Sequence, residues 1–444
     1  MCSFIVTNKP NLDLTYVNFF TKFRGPDYTN VHIKNNISFI HNLLSITGQF
    51  TVQPFISDNI VCLYNGEIYN SSKYGDYNSD GECLIPLYKK HGTDFIKHLD
   101  GEFAITLFDF DKNIIIMSTD VFGTKPIWVA KNDSGLFCIS SYKSNCDRIG
   151  IGNAKRLPPN RTFIFDMNFN QLDSYEIFTF DLRQYKKTFD DWDASFYRSI
   201  NKRCIQNMRE KTFIGLSSGY DSGSIACELI NQNVPYKAYT ILGVENKPVM
   251  QARFSYLTQN DCEHQILDSR NKIQCHKYIL ENVEDYNYEI YTSRSNYNEY
   301  STRLQDDIGA IGLSMVCEQA KKDGRKIYLS GQGADEIFSD YGYGGQSIFF
   351  HSNFGGLFPN DLSTIFPWPS FYGSTQRSYL TKEEYVAGSY GIEARYPFLD
   401  PEVIQEFLWL SPELKNNTYK SVLHNLMMVY KFPFAVGSKI GFGI

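Results

Sequence analysis

A cysteine at position 2 carries an unusual chemical possibility. Methionine aminopeptidases remove Met1 before a small residue, which makes Cys2 the N-terminus. Its α-amino group, with a free pKa of about 7.7–8.0, then serves as base for its own thiol, so nucleophile and base arrive on one residue. By position alone, an ordinary chain-end cysteine is the better reading. A second set of candidates lies far downstream. Ser217-Ser218-Gly219-Tyr220-Asp221-Ser222 follows an apolar strand and precedes a helix. The backbone N–H groups of such a loop, with the helix dipole, make an anion site, and serine hydroxyls add donors. Taken alone, a Ser/Gly loop of this kind is better read as a plain strand–helix turn. Its companion is Ser330-Gly331-Gln332-Gly333-Ala334-Asp335-Glu336. Two loops that each follow a strand and end in an acidic residue can converge at the C-terminal edge of a parallel sheet. Asp221 and Asp335 would then hold Mg²⁺ on phosphates, a hard cation with oxygen ligands.

These residues need elements to position them. Residues 1 to about 180 read mostly as strands. Ile60-Val61-Cys62-Leu63-Tyr64 is a short apolar run ending at Asn65-Gly66, and Phe103 to Phe110 and Asn113 to Ser118 flank a turn, a hairpin signal. Arg161 to Met167 is another strand. After about residue 180 the pattern changes. Lys211 to Leu216 is a strand entering the Ser217 loop, and Ile225, Ala226, Leu229 and Ile230 follow at helical spacing. Ala238 to Leu242 reads as the next strand. Ile311 to Ala320 reads as a helix closed near Gly324, followed by the strand Lys326 to Leu329. Strand, small loop, helix is the opening of a parallel α/β sheet. The boundary falls near 180–195, giving an antiparallel first domain, 1–185, and an α/β second domain, 186–444.

The bulk numbers agree with this division. A chain of 444 residues with 42% apolar residues has enough material for two or three cores. A net charge of −6 without a basic run argues against a nucleic-acid partner. No stretch reads as a secretory signal or a membrane span, so a cytoplasmic protein is expected. None of the 10 cysteines forms a Cys-x-x-Cys pair, which argues against a zinc or redox motif; most read as small buried apolar residues.

Six further segments give Cys2 a context. Arg24-Gly25-Pro26-Asp27, His41-Asn42-Leu43-Leu44-Ser45-Ile46, Tyr64-Asn65-Gly66-Glu67-Ile68-Tyr69-Asn70, Ser79-Asp80-Gly81-Glu82, Leu99-Asp100-Gly101-Glu102-Phe103-Ala104 and Asp120-Val121-Phe122-Gly123-Thr124-Lys125-Pro126 occur in that order. Together they resemble the N-terminal-nucleophile glutaminase domain of class II amidotransferases over nearly all of residues 1–165. The resemblance implies that Cys2 attacks the glutamine side-chain amide, giving a thioester and ammonia. It implies an oxyanion hole from the Asn65 side chain and the Gly66 N–H. Asp80 and the backbone around Gly66-Glu67 would hold the glutamine α-amino group. One position departs: the arginine that the family uses to grip the α-carboxylate is Leu43 here. A bidentate Arg–carboxylate contact is worth roughly 1.5–3 kcal/mol. Weak glutamine hydrolysis, a substitute residue and a different amide donor all stay open.

The second domain resembles the synthetase half of the asparagine synthetase family. The family loop Ser-Gly-Gly-x-Asp-Ser differs here only by Ser218. The second loop and Gly391-Ile392-Glu393-Ala394-Arg395-Tyr396-Pro397-Phe398-Leu399-Asp400 also match. The resemblance implies an ATP-pyrophosphatase fold that cleaves ATP between its α- and β-phosphates. Leu216, Ser217, Gly219, Asp221, Ser222, Ile241, Ser330 and Gly331 would bind ATP. Asp221 and Asp335 would bind Mg²⁺, and Lys439 would stabilise the transition state. The glutamate of the family's second loop is Gln332 here, and the region from Tyr286 to Val316 matches poorly, so the acceptor stays open.

The expected fold is an α+β N-terminal-nucleophile sandwich, antiparallel sheets between helices, followed by an α/β parallel-sheet ATP-pyrophosphatase domain. The expected function is ATP-dependent adenylation of a carboxylate and its amidation with glutamine-derived ammonia, the two sites joined by an internal channel. Glutamine and a carboxylate acceptor are the expected partners, with no nucleic acid and no membrane; a homodimer stays open. Two alternatives accompany this reading. One is a β-lactam-synthetase-like cyclase or a ligase with another amine donor, although such cyclases usually lose the nucleophilic cysteine that this chain keeps. The other is a non-catalytic scaffold, against which the retention of Asp221 and Asp335 weighs.

Overall fold

The computed structural model describes residues 2–204, 210–291 and 302–437. Two compact units emerge. One holds the chain up to Thr179 together with Gly388–Glu393, and the other holds most of the remainder.

In the first unit, strands whose successive side chains point to opposite faces build two six-stranded antiparallel sheets. The first contains β1 (Ser3–Thr7), β2 (Tyr28–Lys34), β3 (Ile37–Leu43), β8 (Trp128–Lys131), β9 (Phe137–Ser140) and β10 (Lys155–Arg156), and the second contains β4 (Phe55–Ser57), β5 (Ile60–Ile68), β6 (Gly101–Asp109), β7 (Ile114–Thr119), β11 (Arg161–Asp166) and β12 (Gln171–Glu176). Phe4, Val6 and Phe39 of one sheet meet Val61, Leu63, Phe108 and Met117 of the other in a common core. The alternate residues Ile60, Cys62 and Tyr64 face the opposite way and pack with Leu84, Leu87 and Tyr88 of the helix Leu84–His91. Face-to-face sheets with a helix on the outer side follow directly from strands that are apolar on both faces.

β5 is longer than the apolar run 60–64 predicts. It continues through Ile68, so Asn65 and Gly66 lie inside the strand, opposite Ala104 and Phe103. Gly66 has φ +141°, and a Cβ there would lie 1.9 Å from the Glu102 carbonyl oxygen. Only glycine keeps the two strands paired at that point.

The second unit is built on parallel strands β13 (Lys211–Gly215), β14 (Tyr236–Thr240), β15 (Glu263–Ile266) and β16 (Arg325–Leu329). Their order is β15-β14-β13-β16, with the short strand Glu393–Arg395 at the end. The order reverses between β13 and β16, and ligand crevices of open α/β sheets form at such switch points. The segments Ser217–Ser222 and Ser330–Glu336 leave these two adjacent strands, and their second halves already form the first turns of the helices Tyr220–Asn231 and Ala334–Phe338. The expected helix at 311–320 runs over Ile308–Lys322 and starts from the Asp307 side-chain cap. Among the described residues, no helix is long and apolar enough to cross a membrane. All 10 cysteines are free, and eight of them are buried.

Candidate functional site

In the first unit Cys2 immediately precedes β1, half-buried. Its Sγ receives the Leu44 N–H at 3.5 Å, and the buried Arg24 holds the Cys2 carbonyl through Nε at 3.2 Å. Burial pushes the Cys2 thiol up to about 11, and the carboxylates of Glu393 and Asp80 add to the rise. A thiol in that range needs a base before it can act as a nucleophile.

Asn65 is fully buried, and neither its amide nitrogen nor its amide oxygen has a hydrogen-bond partner among the described residues. A buried unsatisfied amide costs about 1–3 kcal/mol, so its presence points to a function for the free N–H. Asp80 is half-buried, and its Oδ2 accepts from the Tyr64 hydroxyl at 2.5 Å and the Ile68 N–H at 2.7 Å. Burial raises the Asp80 carboxyl above its ordinary value. Glu67 accepts from the Thr47 hydroxyl at 2.8 Å. Leu43 ends β3, buried, its carbonyl taken by the Asp27 N–H at 3.0 Å.

Leu43→Arg should lower the KM for glutamine by about tenfold or more, the yield of one charge-assisted carboxylate contact, while Leu43→Met leaves it unchanged. Steady-state glutaminase kinetics check this, and equal KM values for the two variants would show that position 43 does not face the α-carboxylate.

In the second unit the two loops meet around one cavity of about 310 Å³, lined by Ser217, Gly219, Asp221, Ser222, Gly331, Gln332 and Asp335. The contact is close: a Cβ on Gly331 would lie 3.0 Å from the Asp221 Cβ, so a larger residue there would press on the Asp221 side chain. The helix Tyr220–Asn231 starts at the cavity, presenting its N-terminal residues. Its first loop is cross-braced. The Ser217 and Ser222 hydroxyls lie 2.9 Å apart, and Ser217 Oγ accepts from the Gly219 N–H at 3.2 Å.

Ser218, the departure from the family's glycine, has its own role. Its N–H donates to Glu245 at 2.6 Å, its hydroxyl also donates to Glu245, and that same oxygen accepts from the Asn246 N–H at 3.0 Å. Arg253, fully buried, reaches the carbonyls of Ser217 and Gly219. A Cβ on Gly223 would lie 2.3 Å from that guanidinium, so Gly223 gives it room.

Lys420 is the residue that sequence reading missed. Its ammonium contacts Asp221 Oδ1 at 2.5 Å and Asp335 Oδ1 at 2.7 Å, and it is 2% exposed. Burial works against its charge, but the two aspartates hold it well above the ordinary lysine value. Lys420 sits in Tyr419-Lys420-Ser421, a segment without a local motif, so no sequence signal marked it. The donor set fits Mg²⁺. Two carboxylates that share one ammonium are near enough to share one divalent ion. Among the described residues no cluster of three or more His, Cys, Asp or Glu could hold a metal. Mg²⁺ is commonly bound by one or two carboxylates plus substrate phosphates, which is what this arrangement offers.

Leu216 and Ile241 are buried at the ends of β13 and β14, and Ser330 is buried at the end of β16; none of the three is part of the cavity lining. Ser330 instead anchors its loop, donating its N–H to the Arg395 carbonyl at 2.9 Å and accepting the Gln332 N–H on Oγ at 3.1 Å. Lys439 lies outside the described residues.

Residues 1–155 match the model of the glutamine amidotransferase domain, and residues 191–355 match that of asparagine synthase. A relative from Methanocaldococcus jannaschii, named as a glutamine-hydrolysing asparagine synthetase, is 26% identical, with 89% of this chain and 73% of that protein covered. Asparagine synthetase [glutamine-hydrolyzing] 1 of Saccharomyces cerevisiae is 25% identical, covering 89% and 72%. The asparagine synthetase of Rattus norvegicus is 25% identical, covering 88% and 73%. Among solved structures, that of an allosteric regulatory enzyme of purine biosynthesis has a TM-score of 0.34 and 13% identity over 60% of this chain and 80% of its own, too loose a likeness to bear on the fold. With a glutamine amidotransferase domain and an asparagine synthase domain in tandem and relatives aligned over nearly nine-tenths of its length, the chain is a two-domain protein similar to the glutamine-hydrolysing asparagine synthetases.

Proposed function

We propose that the chain adenylates a carboxylate with ATP and converts it to an amide with nitrogen released from glutamine. The observation that carries this reading is the convergence of Asp221 and Asp335 on Lys420 at the mouth of a helix N-terminus. A free carboxylate is a poor electrophile, and joining it to AMP supplies a leaving group. The Ser217 and Ser222 hydroxyls and the first turn of Tyr220–Asn231 would bind the departing pyrophosphate. Lys420 would neutralise charge on the same phosphates. Asp221 and Asp335 would hold Mg²⁺, which when bound screens phosphate charge. Gly219 and Gly331 would line the nucleotide, with Leu216, Ile241 and Ser330 supporting the loops from the sheet. Lys439 would stabilise the charge of the transition state.

Cys2 would attack the glutamine amide, with the Asn65 amide N–H and the Gly66 N–H receiving the oxyanion. Asp80 and the backbone at Gly66-Glu67 would orient the α-amino group. The partners on this reading are small molecules, glutamine and a carboxylate, in a cytoplasmic setting.

Pyrophosphate release from ATP and Mg²⁺, measured with amino-acid, sugar-acid and peptide carboxylates, tests the reading. Release that depends on one class of carboxylate and is matched by AMP is expected. No release with any of them, together with no thermal shift on adding nucleotide, would sink it.

A further inference from the structure

Amide formation needs a base, and the second loop carries none at Gln332, because an amide cannot take a proton from an attacking nitrogen. The cavity offers a carboxylate nearby. Glu383, on the helix Ser374–Ser389, lines the same cavity as Gln332, Gly331 and Asp335. It is 5% exposed, and its Oε2 is buried with no hydrogen-bond partner among the described residues. A buried carboxylate oxygen without a donor is costly to keep, and a cavity wall is where such an oxygen finds use.

We propose that Glu383 is the general base of amide formation, taking the proton that Gln332 cannot. The assignment rests on the adenylation reading above. In the step, the nitrogen lone pair forms the C–N bond to the acyl carbon. The C–O bond to the adenylate breaks, and AMP leaves with its electron pair. The proton shed by nitrogen passes to the Glu383 carboxylate.

The surroundings suit the task. Burial pushes the Glu383 carboxyl up to about 7, against the opposing pull of the Ser330 hydroxyl, the Lys382 ammonium and the Gln332 amide. A base titrating near the working pH is the effective kind. Lys382 is engaged with Asp307 at 3.4 Å, and Glu384 accepts from the Tyr396 hydroxyl at 2.8 Å. Tyr328 on β16 and Cys317 on the helix Ile308–Lys322 also face Glu383; burial, with the Glu383 charge, holds both protonated.

The test uses the full chain and Glu383→Gln. A ¹³C carboxyl titration, wild type minus variant, should place the Glu383 signal near neutrality; a midpoint in the ordinary carboxylate range overturns the proposal. With L-aspartate as the first probe carboxylate, or whichever acid supports pyrophosphate release, the variant should keep ATP–pyrophosphate exchange. Its amide formation from ammonium should fall by about 10²-fold or more. Hydroxylamine, a weaker base that sheds its proton more readily, should recover most of the loss. Gln332→Glu added to the variant should also restore activity, which a purely structural role for Glu383 would not allow. Exchange and amide formation falling together, or ammonium use unchanged, would refute the base role. Absence of exchange in the wild type would instead bring down the adenylation reading itself.

Discussion

Asp221→Asn should cut carboxylate-dependent pyrophosphate release by about 10³-fold, the upper range for loss of one electrostatic stabiliser, with glutamine and with ammonium alike. The substitution removes a charge and keeps the shape. Lys420 then retains one carboxylate, Asp335 at 2.7 Å, so the buried ammonium is still paired. Asp221→Ala is the harsher change, because it also opens space beside Gly331 and leaves the buried Lys420 ammonium no acceptor at position 221. Comparing the two separates chemistry from folding. The asparagine variant should keep its melting temperature within a few degrees and lose the thermal shift on adding ATP with Mg²⁺. Full activity in Asp221→Asn would remove Asp221 from the phosphate site.

Cys2→Ala should abolish amide formation from glutamine and leave ammonium-dependent formation within about twofold, since the thiol acts only in releasing nitrogen. The substitution is mild for the fold. Among the described residues Sγ is held only by Leu44, through an N–H at 3.5 Å and a carbonyl at 3.8 Å, both weak sulfur contacts. Kinetics with the two nitrogen sources on one preparation give the answer. Equal loss with both would mean that Cys2 supports structure. Glutamine use that survives the change would remove the nucleophile from Cys2.

The candidate residues of both sites were legible because their signals are local. Ser217 to Ser222 follows a strand and leads to a helix whose apolar spacing can be read within a dozen residues; the structure starts that helix earlier, at Tyr220, so that Asp221 and Ser222 lie in its first turn. The ordered segments around Asn65, Gly66 and Asp80 were readable in the same way. Strand length was not: Asn65-Gly66 looks like a turn, and only pairing with Ala104 and Phe103 carries β5 through it. Ser218 looked like a defect in a motif until Glu245 and Asn246 supplied its partners.

The sequence by itself supplied the candidate groups: a thiol at Cys2, a Ser/Gly segment between a strand and a helix, and acidic residues at Asp221 and Asp335. It determined the order of strands and helices as well, since those follow from periodicity within one element. Tertiary structure decided the charge states and the company these residues keep. Lys420 stays ionised because Asp221, 199 residues away, and Asp335 close on it. Arg253 shapes the first loop from a helix beyond the next strand. Glu383 is pushed up to about 7 by burial against a cavity wall. Burial and long-range pairing set the energy of a charge, and neither is written in the residues that flank it.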